Sequence, residues 1–178
     1  MSVKKIPSTT IFCYISGIHS LNIDLGDGTG YDWHFMNYWL DGTKPIKLYG
    51  ENQEINTNGI YGYYGIADRS KELNKIGIKV NQIYMANHHR AILDLVYESL
   101  TKYNQIGYAK GCVSDYFFEK NDVYELFYQL TLQLEHLNEE RREILDEWLS
   151  REFRPFHKAR RAGTLQIRTI GDHATNII

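Results

Sequence analysis

The sequence predicts an α+β fold: a small, mainly antiparallel sheet from the N-terminal half packed against three helices from the C-terminal half. Two observations predict it. Over residues 1–85 the apolar side chains come in short runs or at alternate positions between clusters of Gly, Asn and Asp, which is the pattern of short strands and turns. Over residues 86–153 they recur at helical spacing behind Asn residues suited to capping. A chain of 178 residues is long enough to bury one core. A single domain over 1–178 is therefore expected, divided into a β-rich half (1–85), a helical half (86–153) and a basic C-terminal segment (154–178).

Taken in order, Thr9 to Leu25 alternates and ends at the turn residues Gly26 to Gly30, and Tyr31 to Leu40 alternates again, so the two are expected to pair as a hairpin. Pairing centred on that loop puts Leu21, Ile23, Trp33 and Phe35 on one face and Asn22, Asp24, Asp32 and His34 on the other. Lys44 to Gly50 reads as a third strand, residues 51–59 as a polar loop, and Ile60 to Ala67 as a fourth strand. Asp68 to Gly77 reads as a short helix ended by Gly77, and Ile78 to Ala86 returns to the sheet. A helix then runs from the cap Asn87 to about Lys102. Asn121 or Asp122 opens a helix carrying Leu126, Leu130, Leu134 and Leu137, and Asn138 opens another carrying Ile144, Leu145, Trp148 and Leu149.

Composition narrows the function. A formal net charge of -2 excludes wholesale attraction to nucleic acid or anionic membrane but permits a local basic patch. Cys13 and Cys112 are too few for a disulfide framework or a metal site, and read as reduced thiols of a cytoplasmic protein. The N-terminal residues have neither the apolar run of a signal peptide nor that of a membrane span. No metal and no cofactor is expected, because no Walker loop, zincin helix or paired Cys motif occurs, and the Gly-rich loop 26–30 has no helix after it to cradle a phosphate.

Three places offer chemistry. Behind Asn87, His88, His89 and Arg90 occupy the first helical turn, where free backbone N–H groups already concentrate positive charge. Each cation there is unfavourable by roughly 0.3–1 kcal/mol. Two outcomes relieve this: the histidines stay neutral, or an anion is held by the helix end and Arg90 together. Equally, His89 falls on the apolar stripe with Ile92, Leu93 and Val96 as a core residue, and Arg90 pairs with Asp94 on the outer face, in which case losing Arg90 costs no more than about 1 kcal/mol. The second place is His34 beside Asp32, a carboxylate positioned to fix an imidazole tautomer for general-base work. The third is the basic segment, where Arg154, Lys158, Arg160 and Arg161 flank Phe156 and His157, combining cations with a stacking ring suited to phosphates. A segment folded back on the acidic helices before it accounts for the same charges.

Two short stretches resemble nuclease families. Gly59-Ile-Tyr61 and Tyr63-Tyr-Gly65 resemble pieces of a GIY-YIG nuclease, which implies a catalytic Arg and a metal-binding Glu. The two triplets nearly touch instead of lying on separate strands, Arg69 comes too early, and only Glu98 is placed to be the ligand. Arg151 to His157 resembles the Arg-to-His signature of HEPN ribonucleases, whose fold is all-helical, whereas half of this chain is not and Pro155 interrupts the segment.

The expected function is that of a macromolecular interaction protein of the antitoxin, immunity or phage-defence and anti-defence type. It would bind protein or nucleic acid through the basic segment and make no membrane contact. An aromatic content of 13%, opposed acidic and basic segments and the lack of a catalytic motif point that way. The alternative is a small phosphodiesterase or RNase in which His34, His88 or His89 is the base and Arg90 clamps a phosphate.

Overall fold

The computed structural model describes residues 5–32, 36–40 and 45–162. Four strands form the sheet: β1 (Cys13–Ile15), β2 (Leu48–Gly50), β3 (Ile66–Asp68) and β4 (Tyr84–Ala86). Their order is β2-β1-β4-β3, with β1 antiparallel to β2, β3 antiparallel to β4, and the central pair β1 and β4 parallel. Short helices intervene: α1 (Ile18–Leu21), α2 (Met36–Trp39), α3 (Asn58–Tyr61) and α4 (Ser70–Lys75). The helical half is α5 (His88–Tyr103), a 3-10 turn at Gly107–Gly111, α6 (Cys112–Tyr116), α7 (Lys120–Gln133), a 3-10 turn at Leu134–His136, α8 (Glu139–Glu152) and α9 (Arg154–Arg161). The architecture is α+β, as the sequence predicts.

The expected hairpin between 9–25 and 31–40 does not form. The chain leaves β1 at Gly17, whose φ of 63° and a Cβ position only 2.8 Å from the Tyr49 Oη suit glycine alone. That turn folds residues 18–21 into a helix and leaves β1 to pair with β2, residue Tyr14 opposite Tyr49. Leu21, Ile23 and Leu25 are still buried, so the alternation marks burial rather than a strand. Trp33, His34 and Phe35, and with them the proposed Asp32–His34 pair, lie outside the described residues. Likewise, of the expected fourth strand Ile60 to Ala67 only Ile66 and Ala67 lie in a strand, β3, since Asn58–Tyr61 is helical.

Strand alternation sorts the core into two clusters. Tyr14, Tyr49 and Ala86 point to the face covered by α5, while Ile15 and Met85, paired across the parallel ladder, join Ile23, Leu25, Trp39, Leu73 and Ile83 on the other. Behind α5 lie Leu126, Phe127 and Leu130 of α7 and Leu145, Trp148 and Leu149 of α8. Helix α5 is thus a central element, and Ala91, Ile92, Leu93 and Val96 are fully buried. Asn87 and Asn138 cap α5 and α8, accepting from the backbone N–H of Arg90 (2.8 Å) and Arg141 (3.0 Å). Helix α7 starts at Lys120 behind Glu119, not at the expected Asn121 or Asp122.

Candidate functional site: a charged stripe on the central helix

Arg90, Asp94, Glu98 and Lys102 follow one another at intervals of four on α5, so they share the face turned to the sheet. Arg90 and Asp94 are both wholly buried, with Nε 3.1 Å from Oδ1. Burying an ion pair is costly unless every lone pair and proton finds a partner. Here they do. The Arg90 Nε donates to Tyr14 Oη and Asp94, Nη1 to the Gly62 and Tyr64 carbonyls, and Nη2 to Tyr14 Oη, Thr57 Oγ1 and Asn58 Oδ1. Asp94 accepts in addition from Tyr14 Oη, from Ser16 Oγ at 2.6 Å and from Thr57 Oγ1. One of the two sequence readings paired Arg90 with Asp94 on the outer face; the pair exists, but it faces inward, because the stripe meets the polar edges of β1, α3 and the loop after it.

Further along, Glu98 accepts from Lys47, from Tyr49 Oη at 2.7 Å and from Lys102 at 3.1 Å. Burial pushes its carboxyl up, but these hydrogen bonds outweigh burial and hold it below the ordinary value. Burial first, and then the bond to Glu98, pushes the Tyr49 phenol far up, so it stays a neutral donor. Glu98, Lys47 and Tyr49 border a cleft of about 330 Å³ between α1, β2 and α5, with His19, Tyr38 and Tyr103 on its other walls. Of these cleft residues the sequence analysis names Glu98 alone, as the metal ligand that the GIY-YIG resemblance implies. The signal was present in the spacing of four that links the charged residues 90, 94, 98 and 102, but their inward direction depends on the sheet.

His88 and His89 are buried and bonded to carbonyls. Nε2 of His88 donates to the Ile23 carbonyl at 3.0 Å and Nε2 of His89 to the Asp122 carbonyl at 3.0 Å, while the His89 ring packs 4.3 Å from Phe117. Nδ1 of His88 lies 2.6 Å from Thr29 Oγ1, which also reaches Asp27 at 2.5 Å. Thr29 has one hydroxyl proton for these two acceptors, so a neutral His88 shares it and a protonated ring releases it to Asp27. Burial holds His88 below its ordinary value, against the Ile23 carbonyl and Asp27, which favour the charged ring. The lowered imidazole expected from the helix N-terminus is therefore due first to burial.

In the basic segment, Pro155 sits in the first turn of α9, which folds back onto α8. His157 is buried with Nε2 3.0 Å from Asp146, and Arg161 donates to the same carboxylate at 2.7 Å. Arg154 and Lys158 are exposed; the side chains of Phe156 and Arg160 lie outside the described ones. A groove along α8 is bordered by the carboxylates of Glu135, Glu143, Asp146 and Glu147 and by the cations Arg142 and Arg161.

The comparisons with known proteins add nothing to this geometry. No family model, curated protein or solved structure matches the chain. Among the described residues no cluster of His, Cys, Asp and Glu could hold a metal ion, and no helix is long and apolar enough to cross a membrane.

Proposed function

We propose that this chain is a recognition module for a protein partner. The observation that carries the reading is the commitment of Arg90: its guanidinium has five N–H hydrogens, and seven acceptor contacts from the protein consume them. A phosphate clamp needs free donors at the surface, and the phosphodiesterase alternative loses its electrophile. His88 and His89 serve as hydrogen-bonded struts at the start of α5. Exposed aromatic rings favour a partner: Phe12 and Tyr63 stack edge to face at 5.3 Å with both 42% or more exposed, and Tyr103 and Phe118 are more exposed still. The antitoxin, immunity or phage-defence type is a finer proposal resting on composition alone, and a cytoplasmic site of action goes with it. Binding through the basic segment is proposed for Arg154 and Lys158, which are exposed on α9.

Two measurements test the reading. Purified protein should not hydrolyse bis(p-nitrophenyl) phosphate or an RNA oligonucleotide, and hydrolysis that disappears in His88→Gln would restore the phosphodiesterase. Capture from the native host should yield a protein retained by the wild type and lost by Phe12→Ser/Tyr63→Ser. A nucleic acid recovered instead, released steeply by salt, would reassign the partner.

A further inference from the structure

A second, smaller pocket of about 170 Å³ lies between the loop after α1 and helix α4, bordered by Asn22, Asp24, Tyr31, Glu72 and Lys75. Asn22 is 2% exposed. Its Nδ2 donates to the Ile18 carbonyl at 2.7 Å, which fixes the amide orientation, because a carbonyl only accepts. That leaves Oδ1 buried without a donor, and Oε2 of Glu72, on the facing element, is likewise buried without one. A buried acceptor left unpaired is disfavoured, and two bordering one pocket mark a place where donors are missing. Asp24 adds a third acceptor: its Oδ1 takes the Gly26 N–H, and the carboxylate carries further lone pairs.

We propose that this pocket binds a donor-rich cationic head group, a guanidinium or primary ammonium on an alkyl stem. Such a group supplies N–H donors to Asn22 and Glu72 together, meets the negative charge of Asp24, and lays its stem along Tyr31 and Ile76. Arg69, whose Nε is itself buried without an acceptor and whose Nη1 lies 3.6 Å from the other oxygen of Glu72, offsets part of the charge, and Lys75 borders the same pocket. Recognition therefore rests on the fixed acceptors more than on net charge. The head group belongs either to a free polyamine or to a basic side chain of a partner. The second source rests on the proposed recognition function; the pocket itself does not.

The test uses the isolated full chain and follows the Asn22 side-chain amide by NMR. Ethylguanidinium and propylammonium are the bare head groups, spermidine the free polyamine, and Ala-Arg-Ala the side-chain source. Saturable shifts of the Asn22 amide are expected, weakened at least tenfold in Glu72→Gln and in Asp24→Asn, which keep the side-chain volumes. Tighter binding of spermidine assigns a free ligand, and tighter binding of Ala-Arg-Ala a partner's side chain. No shift with any probe, equal affinity in the two variants, or a crystal structure with only a water molecule bridging Asn22 and Glu72 overturns the proposal. Because no partner is used, failure here leaves the recognition reading to its own experiment.

Discussion

Arg90 and Asp94 stand one helical turn apart with both side chains at 0% exposure, Nε 3.1 Å from Oδ1, between a sheet and the helix that carries them. The pair is tied to β1 through Tyr14 and Ser16 and to α3 through Thr57 and Asn58. It fixes the rotation of α5 on the sheet, because turning the helix would break several charged hydrogen bonds at once.

Removing one partner leaves the other charge buried and unpaired. Arg90→Met should therefore destabilise the domain by about 3–5 kcal/mol, well above the 1 kcal/mol scale of an exposed pair. Urea denaturation measures this directly. A cost near the surface value would mean that Asp94 finds water or another donor when Arg90 is gone.

Gly65 and Gly62 make an internal control for the start of α5. Both have positive φ, 72° and 54°, but a Cβ on Gly65 would sit 2.5 Å from Asn87 Oδ1 and 2.8 Å from the Arg90 Cβ, whereas one on Gly62 meets nothing within 4 Å. Gly62→Ala should cost about 1–2 kcal/mol for the left-handed backbone alone, and Gly65→Ala about 1 kcal/mol more, because the cap must move. Equal costs in thermal melts would remove the cap from the argument.

His89 tests the core role of a histidine. Its loss in His89→Ala opens a cavity beside Phe117 and frees the Asp122 carbonyl, so a cost of about 2–4 kcal/mol is expected. His89→Gln, which can keep the bond, should recover part of it.

Acid should weaken the fold in two steps. A folded-state pKa of His88 below its ordinary 6.5 means that the unfolded chain binds more protons there, so stability is full above that value and falls as the pH drops below it. The depressed carboxyls of Glu98 and Asp146 act in the same direction at lower pH, their contribution being present above the ordinary values of 4.5 and 3.8 and lost as the pH falls through the lowered ones. Denaturation curves from about pH 7 to about pH 5 should show the first loss in the wild type and a flatter profile in His88→Gln. An unchanged slope in that variant would assign the loss to another group.

The sequence by itself determined the fold class, the caps at Asn87 and Asn138, and the break between α7 and α8, because each rests on neighbours within a turn or two of chain. It determined that Leu21, Ile23 and Trp148 are buried, since large apolar groups leave water whatever encloses them. Tertiary structure alone decided which strand pairs with β1: alternation marks half-buried backbone but names no partner, and the turn at Gly17 sends the chain away from the expected hairpin. It also decided the direction of the charged stripe. Spacing of four puts Arg90, Asp94 and Glu98 on one face of α5, and that face normally meets solvent; only the arrival of Tyr14, Ser16, Tyr49 and Thr57 from distant parts of the chain supplies the hydrogen bonds that make burying those charges tolerable.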